Sequence, residues 1–201
     1  ARVVDTLIRR IAEGNLPRAD FLALILQKLQ SPLRPHVAKC WIDLFGRLAP
    51  TDAEIRLHAG EFITMLNAPA PAAGKLAFGI VERHFLEEAD QTELVGVLGY
   101  ALQNPMQTLA KSALRLLKKQ FKAKPELTES ILNAVANGLS SPHVALRADL
   151  LRWLGAIQPQ RFDEATLTQL QSAAALLPPV ELTPIAHLLA ERPAVPSDGV
   201  D

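Results

Sequence analysis

The segment Leu139-Ser140-Ser141-Pro142-His143-Val144-Ala145-Leu146-Arg147-Ala148-Asp149-Leu150-Leu151-Arg152-Trp153-Leu154-Gly155 decides the fold. Leu150, Leu151 and Leu154 follow the proline at helical spacing, so the stretch has one apolar face and reads as an amphipathic helix. Proline suits a first helical turn, where its missing N–H would have no partner, and it disfavours helix at the residue before it. Ser141 stands where a side-chain oxygen could cap the new helix.

Moving outward, the same arrangement returns. Pro32, Pro69, Pro105, Pro142 and Pro179 are separated by 37, 36, 37 and 37 residues. Three residues before each stands a leucine: Leu29, Leu66, Leu102, Leu139 and Leu176. Seven before come Ile25, Phe62, Leu98 and Val135; nine after come Trp41, Phe78, Leu114, Leu151 and Leu188; twelve after come Leu44, Val81, Leu117 and Leu154. Strand alternation is nowhere sustained. Each unit therefore reads as a helix pair, and one pair alone cannot bury its apolar face, so neighbours must stack. Leading helices are expected near 33–48, 70–87, 105–122 and 142–157, and trailing helices near 17–30, 52–66, 91–103, 126–139 and 164–177. Ser31, Asn104 and Ser141 are candidate caps for leading helices. Thr51 with Glu54, Asp90 with Glu93, and Asp163 are candidate caps for trailing ones. The last unit is irregular, because Pro178, Pro179 and Pro184 crowd its start, and residues 192–201 read as a flexible tail.

Residues 141–155 resemble the HEAT-repeat pattern D-P-x-x-x-V-R-x-x-A-x-x-A-L-G. Leu146 stands for the Val, Arg147 for the Arg, Leu150 for the first Ala and Leu154-Gly155 for the end, while Ser141 and Trp153 depart from it. Asn104-Pro105 through Leu117 is similar more loosely, with Ala110 in place of the Arg. The region from Leu33 to Leu154 also resembles an uncharacterised family of bacterial helical-repeat proteins, in Ala38-Lys39-Cys40-Trp41, Leu48-Ala49-Pro50-Thr51 and Leu114-Arg115-Leu116-Leu117. The resemblance implies an all-α, right-handed α-solenoid of about five HEAT-like helix pairs over residues 1–191. It implies no activity.

Composition sets outer limits. Across 201 residues, 49% apolar and 21% charged is globular chemistry, and 21 basic against 21 acidic residues leave no net field. The single Cys40 excludes an internal disulfide and suits a reducing, cytoplasmic setting. No stretch approaches the roughly 18–20 consecutive apolar residues a membrane-spanning helix needs. G-x-S-x-G, G-x-x-x-x-G-K-[ST] and G-x-G-x-x-G are absent, so nucleophile-elbow and phosphate-loop chemistry have no carrier. No catalytic, metal or cofactor residues are assigned.

Charge is the sharpest surface signal. Net charge alternates from +4 over residues 1–50 to −5 over 51–100, +6 over 101–161 and −5 over 162–201. Lys111, Arg115, Lys118, Lys119 and Lys122 cover one helix face, with Lys124 beyond them, Arg152 at an equivalent position in the next unit, and no acid within the run. A solvated helix face is one reading. The other is an anion or nucleic-acid contact, in the manner of a HEAT-like DNA glycosylase. His36 and Cys40 share a face, but two ligands do not make a zinc site, and Cys40 falls on an apolar position, as a buried thiol would. His84 with Glu87 or Glu88 is a weak carboxylate–imidazole set, and His58 reads as a packed or rim histidine. Metal-dependent HEAT-like hydroxylases use His-Glu dipeptides, and none of the five histidines precedes a Glu. Gly96 and Gly99 read as points of close helix packing, and Trp41 and Trp153 as core or interface residues.

Stacked helix pairs present an extended surface in place of a deep pocket, so the expected function is a protein-interaction scaffold without catalysis of its own. The first helix carries Val3, Val4, Leu7, Ile8 and Ile11. Such an apolar end implies a C-terminal part of a longer array or an end that docks on another copy or partner. The alternative is a helix satisfied by the 17–30 helix alone.

Overall fold

A computed structural model describes residues 2–87 and 91–190. The chain is all-helical, with no strand among the described residues. The elements are α1 (Arg2–Ala12), α2 (Arg18–Leu29), α3 (Pro35–Leu48), α4 (Asp52–Leu57), α5 (Ala59–Met65), α6 (Pro71–His84), α7 (Thr92–Ala101), α8 (Gln107–Ala123), α9 (Thr128–Gly138), α10 (Val144–Gly155), α11 (Glu164–Ala174) and α12 (Ala186–Ala190). Short 3-10 turns at Pro125–Leu127, Pro159–Arg161 and Pro179–Ile185 each open on a proline.

The leading set α3, α6, α8 and α10 packs in succession, each helix on the next; α5, α7, α9 and α11 do the same, with α2 on α5. The core lies between the two sets. Leu29, Leu66 and Leu102 are fully buried and Leu139 is 1% exposed, so four of the five leucines placed three before a proline hold core positions. The fifth does not: Leu176 is 83% exposed. Pro178 and Pro179 stop α11 and start a 3-10 turn, and Leu177 packs on the core in its stead.

Helix starts differ from expectation in a consistent way. The leading helices begin two or three residues after the periodic prolines, at Pro35, Pro71, Gln107 and Val144, and their N-terminal residues have no side-chain cap. Asn104 instead accepts the Met106 N–H at 2.9 Å, and Ser141 lies 3.5 Å from the His143 N–H, so each side chain closes a turn ahead of the helix. Ser31 donates back to the Gln27 carbonyl. Two trailing caps are as read: Thr51 and Glu54 form a reciprocal capping box, and Asp163 accepts the Thr166 N–H at 2.7 Å. The Asp90 cap lies outside the described residues, as does the 192–201 tail. His58 divides the expected 52–66 helix, its N–H bonding the Ile55 carbonyl at 3.2 Å.

Arg18 ties two helix ends together. It grips Glu54 with Nε and Nη2 at 2.6 and 3.1 Å and donates from Nη2 to the Leu48 and Ala49 carbonyls. Those carbonyls end α3, where C-terminal groups have no helical partner. The first helix, α1, packs on α3 and is joined to it by Asp5 and Arg47, so its apolar side is not met by α2 alone. Cys40 corrects the sequence reading. It is exposed, whereas Ala77, Ala113 and Leu150 at the same register are buried. α6 and α8 each lie between two leading helices, but α3 has α1 on its outer flank, and α1 leaves Cys40 uncovered. No helix among the described residues is long and apolar enough to cross a membrane.

Candidate functional site

The basic stripe runs along the solvent side of α8, opposite the buried Leu109, Ala113, Leu116 and Leu117. Its charges are largely engaged. Arg115 takes Glu82 of α6 bidentately, with Nη2–Oε2 at 2.7 Å, and Lys119 approaches the same carboxylate at 4.0 Å. The Arg115 guanidinium holds the Glu82 carboxyl below its ordinary value. Arg152 pairs with Asp149 at 2.9 Å. Lys118 sits 5.3 Å over the Trp153 ring, where burial lowers its ammonium pKa against the opposing pull of Asp149. Trp153 meets Phe121 edge to face at 5.4 Å, and Arg161 lies 5.5 Å from the other ring. Arg161, Phe121, Trp153 and Lys118 thus form one cation–aromatic stack joining α8, α10 and the 159–161 turn, which gives Trp153 its packing role. Lys111 and Lys122 make no ion pair among the described residues. Charge spacing along α8 could not reveal Glu82, which comes from the neighbouring helix.

The histidines do not assemble a centre. His36 and Cys40 are both exposed. His84 lies 3.6 Å from Asp52, on α4, and not against Glu87; Glu88 is outside the described residues. His58 is half-buried beside Glu61 at 3.1 Å. Among the described residues no group of three or more His, Cys, Asp or Glu side chains could hold a metal ion.

A different face is more coherent. Three adjoining cavities of about 600, 400 and 210 Å³ run over α7, α9 and α11; Gln103 lines all three, Asn137 the two larger and Tyr100 the two smaller. Among the described residues lining them, Arg147 is the one charged side chain, and it is committed. Its Nε and Nη2 hold Glu181 at 3.2 and 3.1 Å and its Nη1 donates to the Ser141 carbonyl. The remaining polar groups are carboxamides, hydroxyls and the Tyr100 phenol. Tyr100 is 69% exposed and lines the two smaller cavities. Gly99 lets α7 close on α9: a Cβ there would stand 2.8 Å from the Ala134 Cβ. Gly96 differs from its expected packing role, because nothing lies within 4 Å of its would-be Cβ, and it forms an open notch beside Tyr100.

Sequence reasoning passed over this face, although a signal was present. Five residues before successive prolines stand Thr64, Tyr100 and Asn137, and two before stand Asn67, Gln103 and Ser140. These are uncharged polar positions repeating beside the buried leucine. The chain matches no family model, no curated protein and no solved structure.

Proposed function

We propose that the chain is a right-handed, HEAT-like α-solenoid of about five helix pairs that works as a protein-interaction scaffold, without catalysis of its own. Support for the solenoid comes from the 36–37-residue proline period and from the succession of like helices packing on like. The observation that carries the function is the groove over α7, α9 and α11, whose three adjoining cavities share Gln103, are uncharged on the free groups of the described residues that line them, and bear the exposed Tyr100 on the α7 side. Exposed aromatic and amide groups over several helices suit a broad macromolecular contact. The single exposed Cys40 fits a reducing, cytoplasmic setting.

Affinity capture with the full chain, under crosslinking and at physiological salt, tests this reading. A protein retained in stoichiometric amount supports it. Retention of nucleic acid in place of protein, abolished by Lys111→Glu with Lys122→Glu, overturns it.

A further inference from the structure

We propose that the groove over α7, α9 and α11 binds an extended, uncharged polypeptide segment through that segment's main chain. The inference rests on the interaction reading above and adds the chemistry of the partner.

Hydrogen-bond accounting carries it. Gln169 Nε2 donates to Asn137 Oδ1 at 2.6 Å, Gln103 Nε2 donates to the Asn137 carbonyl at 3.3 Å, and Thr166 Oγ1 donates to Asn133 Oδ1 at 2.9 Å. These contacts orient all four carboxamides. They leave the oxygens of Gln103 and Gln169 open as acceptors and the amino groups of Asn133 and Asn137 open as donors. Across the groove the open groups run acceptor at Gln103, donor at Asn137, acceptor at Gln169. An extended backbone presents N–H and C=O groups along each edge, so it offers a matching partner at each step.

Charge and reach agree. Among the described residues lining it the groove offers no free cation or carboxylate, because Arg147 is spent on Glu181 and Ser141. A phosphate or an acidic strand would lose hydration there without gaining an ion pair. Neighbouring helix axes lie about 8–10 Å apart and an extended residue spans about 3.3 Å, so crossing from α7 to α11 takes about six residues. Tyr100 supplies an apolar face for one of their side chains, and the open space at Gly96 receives another.

The test pans a displayed library of random peptides of about twelve residues on the full chain, then measures the selected peptides by fluorescence anisotropy. Binders without net charge in their core are expected. Methylating single backbone nitrogens should weaken them about tenfold or more at alternate positions, as loss of one main-chain hydrogen bond does. Asn137→Leu and Gln169→Leu should each weaken them similarly, while Lys111→Glu with Lys122→Glu leaves affinity unchanged. The methylated peptides are read on the unaltered chain, so a folding defect in a variant cannot imitate the result. Failure to select any peptide, indifference to methylation, or binding that depends on Lys111 and Lys122 overturns the proposal. A captured protein whose binding ignores Asn137 and Gln169 would overturn it too, and would leave the scaffold reading standing.

Discussion

Leu102→Ala and Leu176→Ala set sequence register against structure. Both leucines stand three residues before a periodic proline, so register alone assigns them equal effects. Leu102 is fully buried and lies against Gly138 where α7 meets α9, a position so close that a Cβ on Gly138 would overlap its side chain. Truncation removes burial worth about 0.8 kcal/mol per methylene-sized group, or about 2.4 kcal/mol for three carbons. Gly138 has no side chain to swing into the gap, so a cavity term adds to this, for a total of about 3–4 kcal/mol. Leu176 is 83% exposed, and its truncation should cost under about 0.5 kcal/mol. With a urea slope of about 2–3 kcal/mol per molar for a chain this size, Leu102→Ala lowers the unfolding midpoint by about 1–2 M, and Leu176→Ala leaves it within about 0.2 M. Circular dichroism at 222 nm reads both. Equal midpoint shifts in the two variants would refute the placement of α11 and the 179–185 turn.

Other expectations follow from local chemistry. Arg18, and then the Thr51 backbone N–H, hold the Glu54 carboxyl down to about 2 from an ordinary 4.5. Its stabilising effect is therefore fully present above the unfolded value and lost as pH falls through about 2; the stability gap between parent and Glu54→Gln should be constant near neutrality and close between about pH 4.5 and 2. A gap that persists at pH 2 would count against the pair. Ala49 ends α3 at φ 46, in the left-handed region. Ala49→Gly should raise stability by up to about 1 kcal/mol in urea titration, and a lowered midpoint would contradict this backbone assignment. With Arg115, Lys118, Lys119 and Arg152 engaged, duplex DNA at physiological salt should bind no better than generically, about micromolar or weaker. A sub-micromolar dissociation constant, lost in Lys118→Glu with Lys122→Glu, would reverse the reading of α8.

Much of the fold was legible because burial repeats. A leucine three before a proline, with apolar partners seven before and nine or twelve after, needs nothing beyond helical geometry to be read, and Leu29, Leu66, Leu102 and Leu139 lie in the core as expected. Register failed where the neighbour changes and not where the residue does. Cys40 shares its position with Ala77, Ala113 and Leu150, but its helix is flanked by α1, which does not reach over it. Leu176 shares its position with four buried leucines, but α11 ends at Ala174, ahead of it, and Leu177 packs on the core in its stead. Periodicity reports what a residue would meet in an average unit, and end units are not average.

The two candidate surfaces were unequally visible for a related reason. Six cations within a short stretch announce themselves in the sequence, yet the carboxylate that offsets Arg115 and Lys119 comes from α6, 33 residues before Arg115. Carboxamides carry no such flag. Asn133, Asn137 and Gln169 read singly as ordinary exposed polar residues, and their recognition capacity arises only when Thr166 bonds Asn133 and Gln169 bonds Asn137 across separations of 33 and 32 residues. Each cross-helix bond uses one end of an amide and orients the other. A group so held binds a ligand with less rotamer entropy to lose than a free surface glutamine would. The stacking that buries the leucines therefore also presets the groove, since it brings Gln103 and Gln169 each within bonding distance of Asn137. A substitution that loosens α9 against α11 should then weaken peptide binding before it unfolds the chain, whereas one that loosens α1 against α3 should not.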